Sequence, residues 1–307
     1  MIAALAGGVG AARLLAGMVQ IADPAGISAI VNTGDDIELH GLHVSPDLDT
    51  VTYTLAGVVD PTTGWGLAGE SWQAMDALDR YGGQTWFRLG DRDLATHMFR
   101  TQMLRDGHPL SEVVTAVAQA WGVTVHLLPM SDDPVRTRIT LASGEEVAFQ
   151  DYFVRLRHSV PITKVRFDGA AQAEPGPGVL AALDAADAVV VCPSNPVVSI
   201  GPILAIPGVR TALERRKATV VAVSPIVAGA AVKGPADRML AELGHEPSAV
   251  SVAELYSSFA GTLVIDEADA ALAPRIEATG LRCVVAPTIM VDREAAAHLA
   301  RAALDAL

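Results

Sequence analysis

Short runs of aliphatic residues recur along the chain at ISAIV (27–31), AVVVC (188–192), TVVAV (219–223), TLVID (262–266) and RCVVA (282–286). Each is apolar on both alternations, the pattern of strands covered on both faces, and together they predict a parallel sheet between layers of helix. The helical patterns between them open on clear start signals. Gly176-Pro177 precedes GVLAALDAAD, Gly201-Pro202 precedes ILAIPGVRTALERR, Gly234-Pro235 precedes ADRMLAELG, and Asp292 precedes REAAAHLARAALDAL. Proline in a first helical turn sacrifices no intrahelical hydrogen bond, so each start is physically consistent. Alternating strand and helix implies right-handed crossovers and an open α/β sheet. Its ligand crevice belongs at the carboxyl ends of the strands.

The rhythm breaks between about residues 105 and 175. A helix, LSEVVTAVAQAWG, is followed by short alternating segments, VTVHLLPM, TRITLASGEEVAFQDYFV and ITKVRFDG, with Ser143-Gly144 as a hairpin signal. This predicts a small α+β subdomain inserted into one larger α/β domain.

Composition narrows the classes of function. The chain has 307 residues, half of them apolar, and a formal charge of −13. That charge works against nucleic acid or an anionic membrane as partner, because both demand clustered Lys and Arg. An anionic ligand must instead be held locally, by backbone N–H groups, a few Arg or a metal. Cys192 and Cys283 both lie in apolar runs, which supports neither a disulfide framework nor a thiolate zinc site. Met1 leads directly into an apolar strand, and no apolar run approaches the roughly 18 residues of a membrane span. The expectation is a soluble, cytoplasmic protein.

Candidate chemistry lies just after the strands. In LAGGVGAARLL, Gly7, Gly8 and Gly10 let backbone approach an anion, and the helix that follows points N–H groups and a positive dipole end the same way. The loop lacks the Lys-Ser/Thr of a P-loop and the G-x-G-x-x-G dinucleotide spacing, so a mere tight turn stands beside the phosphate reading. After the next strand, Asp35, Asp36, Glu38, Asp47 and Asp49 crowd one segment. Asp47 and Asp49 share a face if that segment is extended, and clustered hard oxygens suit magnesium. Plain helix capping is the competing reading, above all for Asp49.

In WFRLGDRDLATHMFRTQML, Asp91 is expected to cap a helix that turns Leu94, Met98 and Leu104 inward. Arg88, Arg92, Asp93, His97 and Arg100 are its polar members, forming either an anion clamp or a surface laced with ion pairs. In VVVCPSNPVVSIGPIL, two prolines stiffen a strand-end loop that offers Ser194, Asn195 and Ser199. VSPIVAGAAVKGPADRM repeats the arrangement with Lys233.

Taken together, LAGGVGAARLL, VNTGDD, SPDLDTVTYTLAG, WFRLGDRDLATH, LLPMSDDPVRT, FQDYFVR, PSNPVVSIGPIL and VSPIVAGAAVKGPADRM resemble the phospholactate (or phosphoenolpyruvate) transferase family of deazaflavin coenzyme F-420 biosynthesis, known as CofD in archaea and FbiA in actinobacteria. The resemblance runs over nearly the whole chain. It implies a Rossmann-like core with a small inserted subdomain, commonly as a homodimer. It also implies transfer of a phosphorylated three-carbon acid from a guanosine-diphosphate-linked donor to the ribityl hydroxyl of the deazaflavin precursor Fo, with release of GMP and a need for Mg2+. Under it, Asp49 matches the family's aspartate at the deazaflavin and either binds metal or takes the ribityl proton. Asp35 joins Asp49 as metal ligand and catalytic acid group, with Asp36 and Asp47 as the other candidates. Arg88 falls on the basic residue that contacts the deazaflavin. Guanosine diphosphate is expected between the Gly7–Gly10 loop and the Ser194–Ser199 loop. A nucleotide-sugar-binding regulatory protein of the same superfamily is the alternative. A nicotinamide dehydrogenase is disfavoured by the glycine spacing.

Overall fold

Seven strands form the central sheet of the computed structural model, which describes residues 1–307. They are β1 (Ile2–Ala6), β2 (Ile27–Val31), β3 (His126–Pro129), β4 (Ala188–Val191), β5 (Val220–Val223), β6 (Thr262–Ile265) and β7 (Arg282–Val285). In space they run β7-β6-β5-β4-β1-β2-β3, every pair parallel. The chain therefore winds outward in both directions from β1 and β4, and the order reverses between these two. In a doubly wound sheet the ligand crevice lies outside the strand ends at that reversal. The loops after β1 and β4 are the glycine turn and the Ser194–Ser199 loop.

The double apolarity of the strands has the predicted cause. Ala3, Leu5, Val189 and Val191 face one hydrophobic core, and their neighbours Ala4, Ala6 and Val190 face a second on the other side. α1 (Gly8–Met18), α2 (Pro46–Leu55) and the C-terminal helix Arg293–Asp305 close the second core with Leu14, Leu15, Met18, Leu48, Val51, Leu299 and Ala300. Asp292 caps that last helix by accepting from Ala295 N at 2.8 Å. α3 (Gln73–Arg80), α4 (Asp93–Arg105) and α5 (Leu110–Ala120) lie between α2 and β3.

Three expectations differ from what the fold does. The segment VTVHLLPM is not part of the insertion: His126–Pro129 pairs with β2 as an edge of the main sheet, and its half-exposed pattern reflects that edge. The small unit is a three-stranded antiparallel sheet of Arg136–Leu141, Glu146–Ala148 and Ile162–Asp168 with its own core around Ile139, Phe149 and Tyr152. The stretch after Gly201 is two helices, Gly201–Ala205 and Val209–Arg215, and the helical segment Pro196–Ala205 meets the second at 93°. Pro207 cannot donate a helical hydrogen bond, and Gly208 takes φ +85° to make the corner. Finally, Asp91 does not cap α4. It accepts from Gln73 N and Ala74 N at the start of α3, while Glu70 accepts from Arg92 N and Asp93 N at the start of α4, so each acid serves the other's helix. No single helix is long and apolar enough to cross a membrane.

Candidate active site

Asp47 and Asp49 lie in the first turn of α2, not in an extended segment. Two residues apart in a helix are about 200° apart around its axis, so the two carboxylates point to different neighbours. That single fact splits the acids into two clusters.

The first cluster gathers Asp35, Asp36 and Asp47 beneath the glycine turn. Asn32, continuing the β2 ladder through its N–H to Ala6 O, donates its side-chain amide to Asp47 Oδ2 at 2.9 Å and to Asp35 Oδ2 at 3.2 Å. Asp36 Oδ2 accepts from Ser45 Oγ at 2.8 Å and lies 2.9 Å from His43 Nε2. Ser45, at the start of α2, thus spends its hydroxyl on Asp36 instead of capping the helix. Asp35 Oδ1 and Asp36 Oδ1 are buried with no hydrogen-bond partner. Burial, reinforced by the charge of Asp47, raises the pKa of Asp35 well above the usual carboxylate range. Burial likewise pushes Asp47 up from 3.8 to about 7, with the Asn32 amide working against the rise. Three desolvated acids with two orphan oxygens are a poor arrangement for the protein alone, and a pair of them offers hard oxygens of the kind magnesium takes; the three-residue group whose donor atoms converge, within 4.8 Å of one another, is Asp49, Asp93 and His97.

A raised carboxyl makes a testable demand on stability. The folded protein binds the Asp47 proton more tightly than the unfolded chain does, so this group favours folding at low pH. Its contribution is lost as pH rises from about 4 to about 7. In EDTA, Asp47→Asn should therefore gain melting temperature over the wild type progressively across that window; a difference independent of pH would contradict the assignment.

The second cluster surrounds Asp49. Arg100 grips it with both terminal nitrogens, Nη1 to Oδ2 at 3.1 Å and Nη2 to Oδ1. Nη1 also meets His97 Nδ1 at 3.3 Å and His43 O at 3.4 Å. With Nδ1 facing that donor, the ring hydrogen is inferred on Nε2, which lies 3.3 Å from Asp93 Oδ2. Tyr53 donates to Asp93 Oδ1 at 2.5 Å. Burial raises Asp49, opposed by Arg100 and His97; at Asp93 burial is outweighed by His97, Tyr53 and Arg100, which hold its carboxyl below the usual range.

α4 supplies this cluster by turning its polar side inward. Thr96, His97, Arg100 and Thr101 are buried, whereas Met98 is 61% exposed, contrary to its expected place in the core. Leu94 and Leu104 are half-buried. α4 packs on the strand Leu42–Val44 and on α5, and its polar side reaches Asp49 and Tyr53 of α2, so the charged side is the one that finds partners. A hairpin of Ile37–Leu39 and Leu42–Val44, turning on His40 (φ +55°) and Gly41 (φ +72°), bridges the clusters through His43.

The glycines serve contact as much as ligand approach. A Cβ on Gly7 would lie 2.6 Å from Ser199 Cβ, and one on Gly10 would lie 2.2 Å from the carbonyl oxygen of Pro193. The β1 and β4 loops are thus packed backbone on backbone at the strand reversal. Gly8 alone faces open room, at φ +73°, with Asp47 Oδ1 3.8 Å from its would-be Cβ. Ser194 Oγ accepts from Gly7 N at 3.3 Å, and Ser199 is buried beside it. Asn195 is committed locally: its Oδ1 accepts from Val197 N and Val198 N. Lys233 reaches Thr63 O, and burial together with Arg13 lowers its pKa.

Arg88 stands apart from both clusters. Its side chain is 49% exposed, bonded to Asp76 Oδ1 at 3.0 Å and stacked 4.8 Å over Trp72. Arg100, singled out in the sequence only as one polar residue among several, is the one that meets Asp49. Its i+3 spacing from His97 was the available signal.

Comparison with known proteins gives one consistent result. The profile of the family described as 2-phospho-L-lactate transferase CofD matches residues 2–299. A protein of Streptomyces griseus subsp. griseus named phosphoenolpyruvate transferase is 49% identical over 99% of this chain and 97% of its own length. Its namesake in Streptomyces coelicolor is 50% identical with the same coverage, and that of Mycolicibacterium smegmatis is 44% identical over 99% of this chain and 98% of its own. Among solved structures, a UPF0052 family protein of Bacillus halodurans superposes with a TM-score of 0.65 at 17% identity over 99% of this chain and 98% of that one, a likeness of fold.

Proposed function

The chain belongs to the family of the 2-phospho-L-lactate transferase CofD, and from that premise we propose that this transferase moves the phosphorylated three-carbon acid of a guanosine-diphosphate-linked donor to Fo. The acceptor's ribityl hydroxyl attacks the phosphorus distal to guanosine, the bond to the bridging oxygen breaks, and GMP leaves as the hydroxyl proton passes to a base. The names of the relatives favour the enolpyruvyl over the lactyl donor. No observation favours the regulatory alternative. Charged phosphorylated substrates of this kind suit a cytoplasmic enzyme, and a homodimer is the expectation taken from the resemblance.

The observation that carries the reading is the group of buried acids with orphan oxygens, Asp35 and Asp36 beside Asp47, set where the strand order reverses. These hard oxygens fit magnesium, and Asp35 and Asp47, sharing the Asn32 amide, are the residues that would hold it. Magnesium there would neutralise charge on the diphosphate oxygens as GMP departs. Asp49 has one lone pair of each oxygen engaged by Arg100, and in this reading a remaining lone pair takes the ribityl proton. The N-terminus of α1 offers N–H groups to the diphosphate across from the Ser194–Ser199 loop. Arg88, exposed, and its half-buried neighbour Trp72 are available to a planar acceptor.

Incubation of the protein with Fo and each donor, followed by mass spectrometry, tests the reading. Product is expected from the enolpyruvyl donor with magnesium and not in EDTA; absence of product with both donors refutes the function. Asp35→Asn should raise the magnesium concentration for half-maximal rate by about tenfold, the equivalent of about 1.4 kcal/mol. Unchanged metal dependence would move the ion away from Asp35.

A further inference from the structure

Arg100 is 2% exposed and heads the fully buried side chains by volume. Removing a guanidinium from water is costly, and a pair of apolar residues often serves stability as well or better. Here every contact of the guanidinium's terminal nitrogens serves one end: two to the Asp49 carboxylate, with His97 Nδ1 and His43 O holding Nη1 from the side. His97 Nε2 in turn lies 3.3 Å from Asp93 Oδ2, an ion-pair distance without a hydrogen bond, and Asp93 is held by Tyr53, whose hydroxyl also bonds Thr96 at 2.8 Å. The chain of contacts runs from α4 to α2 and back, and its terminus is the carboxylate that the proposed reaction uses.

We propose that Arg100 is the positioning residue of the transfer, acting through Asp49, and that His97 and Asp93 fix the guanidinium in turn. A planar fork on both carboxylate oxygens leaves Asp49 a single rotamer and aims its remaining lone pairs. Proton abstraction depends steeply on that aim, because a misplacement of about 1 Å can cost roughly a hundredfold in rate. The inference rests on the reading of Asp49 as the base of the reaction.

The test compares the wild type with Arg100→Lys, Asp49→Asn, the double variant and His97→Gln, measuring kcat, both KM values and melting temperature. Lysine keeps the charge and loses the fork, so Arg100→Lys should lose about ten- to a hundredfold in kcat with the donor KM unchanged. The double variant should be no slower than Asp49→Asn alone, since a residue that acts through another has no effect once that other is gone. His97→Gln, which removes the His97 contact on Arg100 Nη1 without unpairing Asp49, should lose about three- to tenfold in kcat and covers the case in which Arg100→Lys fails to fold. A wild-type kcat in Arg100→Lys or in His97→Gln, or a double variant slower than Asp49→Asn by the full Arg100→Lys factor, overturns the positioning role alone. A wild type that forms no product overturns the reading of the reaction, and this role with it.

Discussion

Asp49→Asn is expected to lower kcat by on the order of 10²–10⁴-fold, the usual contribution of a positioned general base. An amide cannot take the proton of the ribityl hydroxyl, and no other carboxylate in the second cluster is free to replace it, since Asp93 is held by Tyr53 and His97. The sequence alone suggests that this substitution leaves folding nearly intact, as befits a polar group at a strand end. The structure corrects that. Asp49 is the partner of a buried guanidinium, and breaking a buried pair costs up to about 3–5 kcal/mol; Asn, which keeps one oxygen for Arg100, should lose the smaller part of this. Rate and melting temperature must therefore be measured together, with single-turnover rates taken well below the melting point. Activity within about tenfold of wild type in a folded variant, roughly 1.4 kcal/mol of barrier, would remove Asp49 from the chemistry.

Gly10→Ala should be the most damaging single methyl in the glycine turn. Its Cβ would sit 2.2 Å from Pro193 O, a backbone atom in a loop stiffened by Pro193 and Pro196, so the β1 and β4 loops must part. Forced overpacking of this kind costs about 1–3 kcal/mol, and the displaced loops are the two expected to flank the nucleotide. The stabilisation that GDP confers on the wild type should vanish with it. Gly8→Val makes the contrast. The position has room and a φ of +73°, which costs a non-glycine residue about 1–2 kcal/mol, but its new side chain would project where the phosphates are expected. It should fold and lose the GDP shift. A wild-type melting temperature for Gly10→Ala would mean the loops can separate freely, and an undiminished GDP shift in Gly8→Val would place the phosphates elsewhere.

Much of the fold follows from properties carried by short stretches of chain. A strand covered on both faces has to be apolar at every position, so ISAIV, AVVVC and TLVID announce a parallel sheet before any partner is known. Asp292 caps its helix within three residues of itself. The glycine turn, the acidic segment and the Ser-Asn-Pro loop could be placed at strand ends for the same reason, and the resemblance carried by those motifs named the family.

Which way a side chain faces is a different kind of question, because it depends on what the neighbouring element presents. Asp47 and Asp49 read as one pair until α2 forms at Pro46 and turns them about 200° apart, one to Asn32 and one to Arg100. The apolar rule places Met98 inside and Arg100 outside; the acidic side of α2 reverses both, since a buried charge is tolerated where an opposite charge meets it. Asp91 and Glu70 exchange helices across 21 residues of chain, a pairing no local capping rule contains. Strand order, and with it the meeting of the β1 and β4 loops over the acids, is likewise settled only when distant segments pair. The sequence by itself determined most strands of the main sheet, the sheet type and the family. The tertiary structure decided which acids share the Asn32 amide and which one an arginine holds, because burial and charge pairing are properties of neighbours in space.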